Sequence, residues 1–532
     1  MKYFDCFSAL GRRAGKHPVA PWTQAEMLAE MERCRINGAL VYSTLARETH
    51  PAVGNPIITE ICKNEPRLFP CWVGMPHYTG EFPSPADLLK QMDDAGVRAL
   101  KLFPVTYWHG VDELALGELL AALEEAGIPV IFDRGVMDPD IQIGWDELKW
   151  VCEKYPKLPV LLHALRWEST RLLTPIAMRY DNLHFEFSNY QGNRMLEYWT
   201  RTIGHERLLF GTQALEKSMG AARAYVDYAD LSQEQKAAIA SGNLLRLLKM
   251  DEQLLPDYSG APAPDKIVEK SMAGSPIDDS IVIDSHAHII QKGGQGAERV
   301  TMPEGDAAGV AGRNRKLGVS KTCVSAWTAI WSDYELGNED TILGMKELPD
   351  EIIGYAALDP NYIVDWDKTL NFYYKENNFK GMKPYHPRMQ RPYNDPAFEP
   401  WWEFGNKHHL FALMHPSDNF HAEMLDLGSR FPNITFLLAH SGWTWKTAET
   451  HVDLAERFDN CFLEITFTSV VSGIIEFMVE KVGAHRVLYG SDAPMRDPYP
   501  QYGWVAYADI SEADKRLILG ENMEKILAKV KL

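Results

Sequence analysis

Glu206-Arg207-Leu208-Leu209-Phe210-Gly211-Thr212 and His485-Arg486-Val487-Leu488-Tyr489-Gly490-Ser491 are two versions of one segment, an apolar run that ends in a glycine and a hydroxyl residue. Working outward, Tyr180-Asp181-Asn182-Leu183-His184-Phe185-Glu186 matches Phe458-Asp459-Asn460-Cys461-Phe462-Leu463-Glu464, and Ala229-Asp230-Leu231-Ser232 matches Ala508-Asp509-Ile510-Ser511. Asn243 falls where Asn522 does, and the offset between the matched positions stays at 278 or 279. A nearly constant offset over separated segments is the signature of a repeat, so the sequence predicts a duplicated domain. Residues 256–280 carry Pro, Gly, Ser and charge without apolar periodicity, which is linker composition. The expected division is residues 1–255, a linker at 256–280, and residues 281–532.

Within each half, short apolar runs alternate with longer amphipathic stretches. In the second half the runs include Ile281-Val282-Ile283, Lys321 to Ser325, Ile352 to Ala357, Leu410 to Met414, Ile434 to Leu438, Cys461 to Ile465 and Val487 to Tyr489. Strand and helix in alternation imply parallel β-structure with helical crossovers. Each half has the size of a (β/α)8 barrel, about 250 residues. Polar residues follow so many of the strands that a closed barrel is preferred to an open doubly wound sheet. The predicted fold is α/β, with two tandem TIM-like barrels.

The composition sets the outer limits. A chain of 532 residues with 45% hydrophobic and 24% charged residues has enough apolar sequence for a core in each half. A formal net charge of -19 argues against nucleic acid or an anionic membrane surface as partner. The seven cysteines are odd in number, scattered and without a CxxC pair, a pattern that suits reduced thiols and a cytoplasmic setting. The N-terminal residues do not read as a signal peptide, and no apolar stretch reaches the ~18 residues of a spanning helix.

The chemistry concentrates in the second half. In Asp284-Ser285-His286-Ala287-His288 the two imidazoles are two residues apart, the spacing that puts side chains on one face of a strand. Neutral imidazole suits zinc and other first-row divalent ions. His415 ends the run Leu410 to Met414, His440 ends Ile434 to Ala439, and Asp492 ends Val487 to Ser491. A barrel gathers its active site at the C-terminal ends of its strands. Four histidines and a carboxylate in that register therefore point to a metal centre. A bound Zn²⁺ lowers the pKa of water to ~7, and His440 and Asp492 are placed as proton-transfer groups.

Together with Gly381-Met382-Lys383-Pro384, Phe431-Pro432, Ala439-His440-Ser441-Gly442 and Tyr489-Gly490-Ser491-Asp492-Ala493-Pro494, this set resembles the amidohydrolase superfamily. The resemblance is to its short branch of lactonases, other hydrolases and non-oxidative decarboxylases. It implies that His286, His288, His415 and Asp492 hold a divalent metal, zinc in first place with manganese as the alternative. It implies that His440 polarises the substrate or shuttles protons, and that Asp492 can take a proton from water. Lys383 follows the fourth strand, where a carboxylated lysine can bridge two metals in this superfamily. Its counterpart Lys101 sits in Ala99-Leu100-Lys101-Leu102 without other ligands, which favours a structural or substrate-binding lysine and one metal per chain. Tyr385 and Arg388 are candidates for a substrate carboxylate. Glu464 has Glu186 as its repeat partner and reads as scaffold.

The first half lacks the ligand set. Phe7 and Ala9 stand in place of His286 and His288, Asp133 in place of His415, Ala164 in place of His440 and Gln213 in place of Asp492. The first barrel thus resembles a degenerate copy that pairs with the second inside one chain, leaving further homo-oligomerisation open. The leading functional expectation is a metal-dependent hydrolase acting on a lactone, ester or amide of a small organic acid. The alternative is a metal-dependent non-oxidative decarboxylase of an unsaturated or aromatic acid, and a binding protein built on inactive barrels comes third.

Overall fold

The computed structural model describes the chain apart from residues 14–16, 136–140, 259–262, 386–388 and 468. The chain divides into two compact units, Met1–Ala263 and Pro264–Leu532. Among the described residues of the N-terminal unit, nine parallel strands form two sheets. The first joins β1 (Phe4–Leu10), β2 (Gly38–Ser43) and β3 (Leu68–Pro70). The second runs in order through β4 (Trp72–Gly74), β5 (Leu100–Leu102), β6 (Val130–Asp133), β7 (Val160–His163), β8 (Leu183–Glu186) and β9 (Leu208–Leu209). Backbone bonds link the ends of the two sheets: Cys71 N donates to Val41 O (2.8 Å), and Cys6 N to Phe210 O (2.9 Å).

The C-terminal unit is a nearly closed eight-stranded parallel barrel. Its strands are β10 (Val282–Ile289), β11 (Val319–Ala326), β12 (Ile352–Ala356), β13 (Gly381–Met382), β14 (Phe411–Met414), β15 (Thr435–Leu438), β16 (Cys461–Glu464) and β17 (Val487–Leu488), paired in that order. The seam between the last strand and the first is spanned by Ser285 N to Tyr489 O (3.0 Å) and Asp492 N to His286 O (2.8 Å). Strands buried on both faces read as continuous apolar runs, and the seven predicted runs fall on all of these strands but the two-residue β13, the first of the runs reaching only the start of β10. Ile283, Cys323, Tyr355, Phe411, Leu413, Leu437 and Phe462 fill the interior.

The stretch read as linker holds a helix, Lys266–Met272. Asp265 caps it by accepting from Val268 N, and Lys515 Nζ lies 2.6 Å from the same carboxylate. Ile267, Val268 and Ser271 are its buried residues. At i, i+1 and i+4 they share one helical face, a stripe too short to stand out among flanking prolines and charges. Among the described residues no helix is long and apolar enough to cross a membrane.

Candidate metal centre

One extra residue in β10 aims the two histidines inward. Asp284 pairs with Thr322 and Ala287 with Val324, so three steps along β10 match two along β11. This is a β-bulge, which re-aims side chains. Ile283 faces the interior, and simple alternation from it would turn His286 and His288 away. Asp284 pins the bulge: it is fully buried and accepts from His286 N (3.2 Å), Ser491 N (3.0 Å), Ser491 Oγ (2.5 Å) and Asn314 Nδ2 (3.0 Å). Burial pushes its carboxyl up to about 7, against those hydrogen bonds. His440 and Asp492 both stand at φ 61°. A left-handed backbone at non-glycine residues costs on the order of 1–3 kcal/mol and clusters at functional sites. At His440 it breaks the alternation set by Leu437 and Ala439, both interior residues.

Of the residues singled out in the sequence, His286, His288, His440 and Asp492 come close together in this barrel. His288 Nε2 lies 3.3 Å and His286 Nε2 3.9 Å from Asp492 Oδ1. The rings of His286 and His440 are 5.1 Å apart and those of His415 and His440 4.9 Å. Ligand atoms of His286, His288 and Asp492 lie within 4.8 Å of one another, as do those of His286, His440 and Glu464. His415 joins neither tight group; it approaches through His440, and its Nδ1 is 3.0 Å from Pro416 O. Asp492 is buried, and its Oδ2 has no hydrogen-bond partner among the described residues. A buried, unsatisfied carboxylate oxygen is costly unless something else meets it. Beside imidazole nitrogens, that orphan fits a divalent ion.

The second ring nitrogens are committed elsewhere, as metal ligands require. His286 Nδ1 is 2.8 Å from Glu464 Oε2, His288 Nδ1 3.1 Å from Ser325 O, and His440 Nδ1 2.8 Å from Thr466 O. Each is read as donating from Nδ1, leaving the Nε2 lone pair for the centre. Burial, with the charge of Lys383, holds His286 far below the usual imidazole range, and burial with His286 takes His440 down to about 3. Burial also depresses His415, helped by His440 and Lys383. All three are therefore neutral at pH 7. Burial works against an ionised Asp492, yet the hydrogen bond to His288 and the field of His286, His288 and His440 hold its carboxyl below the usual range.

Lys383 directly follows β13, is completely buried, and places Nζ 3.5 Å from His286 Nε2. Burial lowers its pKa to about 8. Tyr385 packs beside His415, with ring centroids 5.1 Å apart. Arg388 lies outside the described residues. Trp401 and Trp402 are core: both are fully buried and stacked on each other, 6.1 Å apart.

Apart from Tyr385, the strand-end reading missed an aromatic rim. The Trp327 ring meets His288 edge-on at 5.9 Å and stacks on Trp331 at 5.3 Å, and Trp331 contacts Tyr385 at 5.8 Å. Phe467 contacts His440 at 5.4 Å and stacks on Trp443 at 4.8 Å. These residues follow β11, β13, β15 and β16, the register in which only polar residues were sought.

Part of the chain is similar to a known family. Residues 283–529 match the amidohydrolase family model. That span takes in β10 almost entire, all seven later strands and each candidate ligand. Among solved structures, the chain resembles 2,6-dihydroxybenzoate decarboxylase from Rhizobium (14% identity, 47% of this chain and 99% of that one, TM-score 0.36). It also resembles a dihydroxybenzoic acid decarboxylase from Polaromonas with bound manganese (17%, 47% and 97%, 0.35) and a probable 2-pyrone-4,6-dicarboxylic acid hydrolase from Acinetobacter baumannii (13%, 46% and 99%, 0.36). No curated protein matches the chain.

Proposed function

We propose that the C-terminal barrel is a metal-dependent non-oxidative decarboxylase of a flat, unsaturated or aromatic carboxylic acid. The observation that carries this reading is the rim: Trp327, Trp331 and Tyr385 stand on one side of the histidine cluster, Phe467 and Trp443 on another. Flat rings from separate loops favour a planar ligand by offset or edge-on stacking. Planarity is also what allows charge left behind by departing CO2 to delocalise. His286, His288 and Asp492, with His415 as fourth ligand, would hold one divalent ion, zinc or manganese. When bound, such an ion supplies an electrophile that orients and polarises the acid's oxygens. Lys383 adds a buried positive charge beside the cluster. With Nδ1 committed to Thr466 O, Nε2 of His440, through its lone pair, is the atom that takes up the incoming proton and relays it to the carbon that loses CO2. The balance is one carboxylate and one proton in, one C–H bond and one CO2 out.

The same Nε2 lone pair favours a second reading, hydrolysis of a lactone, ester or amide, because a neutral imidazole is a base for water. Turnover of aromatic and unsaturated acids and of lactones in D2O and in H2¹⁸O separates the two. Deuterium on carbon with released CO2 supports decarboxylation; ¹⁸O in the product acid supports hydrolysis; neither, in protein loaded with zinc or manganese, refutes both.

The N-terminal unit is read as a degenerate second (β/α)8 barrel descended from the same domain. Its bonds support this at corresponding positions. Asp5 accepts from Phe7 N and Thr212 N (both 2.9 Å), as Asp284 does from His286 N and Ser491 N. Asn243 reaches His205 O and Leu208 O, as Asn522 reaches Ala484 O and Val487 O. Ala164 and Gln213 keep the positive φ of His440 and Asp492. In place of a metal centre stands Lys101, buried 2.8 Å from Asp133 and 3.3 Å from His163 Nδ1, with the Phe7 ring 4.0 Å away.

A further inference from the structure

We propose that Glu464 is the positioning residue of the metal centre: it fixes His286 in the Nδ1–H tautomer and holds the backbone beneath His440. This deepens the function proposed above and rests on it. Glu464 ends β16 and is fully buried. Its Oε1 accepts from Thr466 N (2.7 Å) and from the Thr466 hydroxyl. Its Oε2 accepts from His286 Nδ1 (2.8 Å) and His440 N (3.4 Å). An ionised carboxylate only accepts, at about four lone-pair sites, and here four donors converge on it. Two of them are backbone N–H groups that can play no other role. His286 must therefore present its proton at Nδ1, and its Nε2 lone pair is turned toward Asp492 and Lys383.

The carboxylate thus links β16 to its neighbour β15 and, across β17, to β10. One contact orients a ligand on β10, the other supports the left-handed residue after β15. Gly490 makes this possible, because a Cβ there would collide with Glu464 Oε1 and Thr466 Oγ1 and come within 2.7 Å of His286 Cβ. Glu186 provides an internal comparison. It accepts from Ala164 N (2.8 Å) and from the backbone N and hydroxyl of Ser188, while the position of His286 is occupied by Phe7. The scaffold bonds recur where Phe7 replaces the imidazole; the bond to a ligand imidazole is particular to Glu464.

Replacement by glutamine separates the two roles. Thr466 N–H requires an oxygen, so the amide NH2 faces His286 and drives it to the Nε2–H tautomer. The test is long-range ¹H–¹⁵N correlation of histidine-labelled, metal-free full-length protein in buffer well above the value of about 8 to which burial pushes the Glu464 carboxyl, with His286→Ala used to assign the signal. Native His286 is expected as Nδ1–H and Glu464→Gln as Nε2–H. Chelator competition should show Mn²⁺ and Zn²⁺ bound about 10–100-fold more weakly by Glu464→Gln, and unchanged in Glu186→Gln. Nε2–H in the native protein overturns the proposal with no variant needed. So does a folded Glu464→Gln that keeps both the native tautomer and the native affinity. Native protein that binds neither metal refutes the proposed function instead, and the tautomer still decides the role of Glu464.

Discussion

If the centre binds a divalent ion, metal should stabilise one unit of the chain and leave the other untouched. The perturbation is zinc or manganese titrated into metal-free protein, native and Asp492→Asn. A ligand at 100 times its Kd stabilises the folded state by about 2.7 kcal/mol. For a unit of this size each kcal/mol moves Tm by about 2–4 °C, so the C-terminal transition should rise by about 5–11 °C. Asp492 is the one carboxylate in the His286, His288, Asp492 group, and its Oδ2 is the atom without a partner. Asparagine keeps an oxygen and loses the charge. If affinity falls on the order of a hundredfold, the same metal concentration equals the new Kd, and stabilisation drops to about 0.4 kcal/mol, near 1 °C. Differential scanning calorimetry of the full chain, with elemental analysis counting ions, provides the measurement. An equal rise in native and Asp492→Asn, or a rise confined to the N-terminal transition, would refute the reasoning.

Three more outcomes follow from the same structure. Lys101→Met should destabilise the N-terminal unit by about 3–5 kcal/mol, because it leaves Asp133 charged and buried; Lys101→Met/Asp133→Leu should recover most of that, and a double variant no better than the single one contradicts it. Gly490→Ala should cost about 1–3 kcal/mol by overpacking against Glu464 and Thr466 and lower the metal content by displacing His286, so a variant with native stability and stoichiometry counts against the packing argument. Burial depresses Lys383 from 10.5 to about 8. The unfolded chain then binds the extra proton between those values, and stability rises with pH across that window. In metal-free protein the gap between native and a Lys383→Met variant should change by about 3 kcal/mol from pH 8 to 10.5, as urea denaturation would show; a constant gap means the lysine is solvated.

Much of the site was legible because barrels place chemistry at strand ends. His415, His440 and Asp492 each closed an apolar run, so finding the runs found the residues. The aromatic rim was not legible in that way. Trp327 and Phe467 also follow strands, but an aromatic after an apolar run looks like more core, and only contact with His288 and His440 distinguishes it. The helix at Lys266–Met272 was hidden for a related reason, since its buried stripe is barely one turn long.

The sequence by itself determined the alternation of strand and helix, the matched segments at a near-constant offset, the set of five metal and proton-transfer candidates, and their absence from the matched positions of the first half. These are properties of order and periodicity, which a linear chain carries in full. Only the tertiary structure decided which atoms face the centre. The bulge at Asp284, the left-handed φ at His440 and the four donors around Glu464 depend on partners up to 207 residues away in the chain, as with Asp284 and Ser491. Side-chain direction is set by the local backbone path. That path is fixed by hydrogen bonds between strands far apart in sequence, and spacing alone does not encode them.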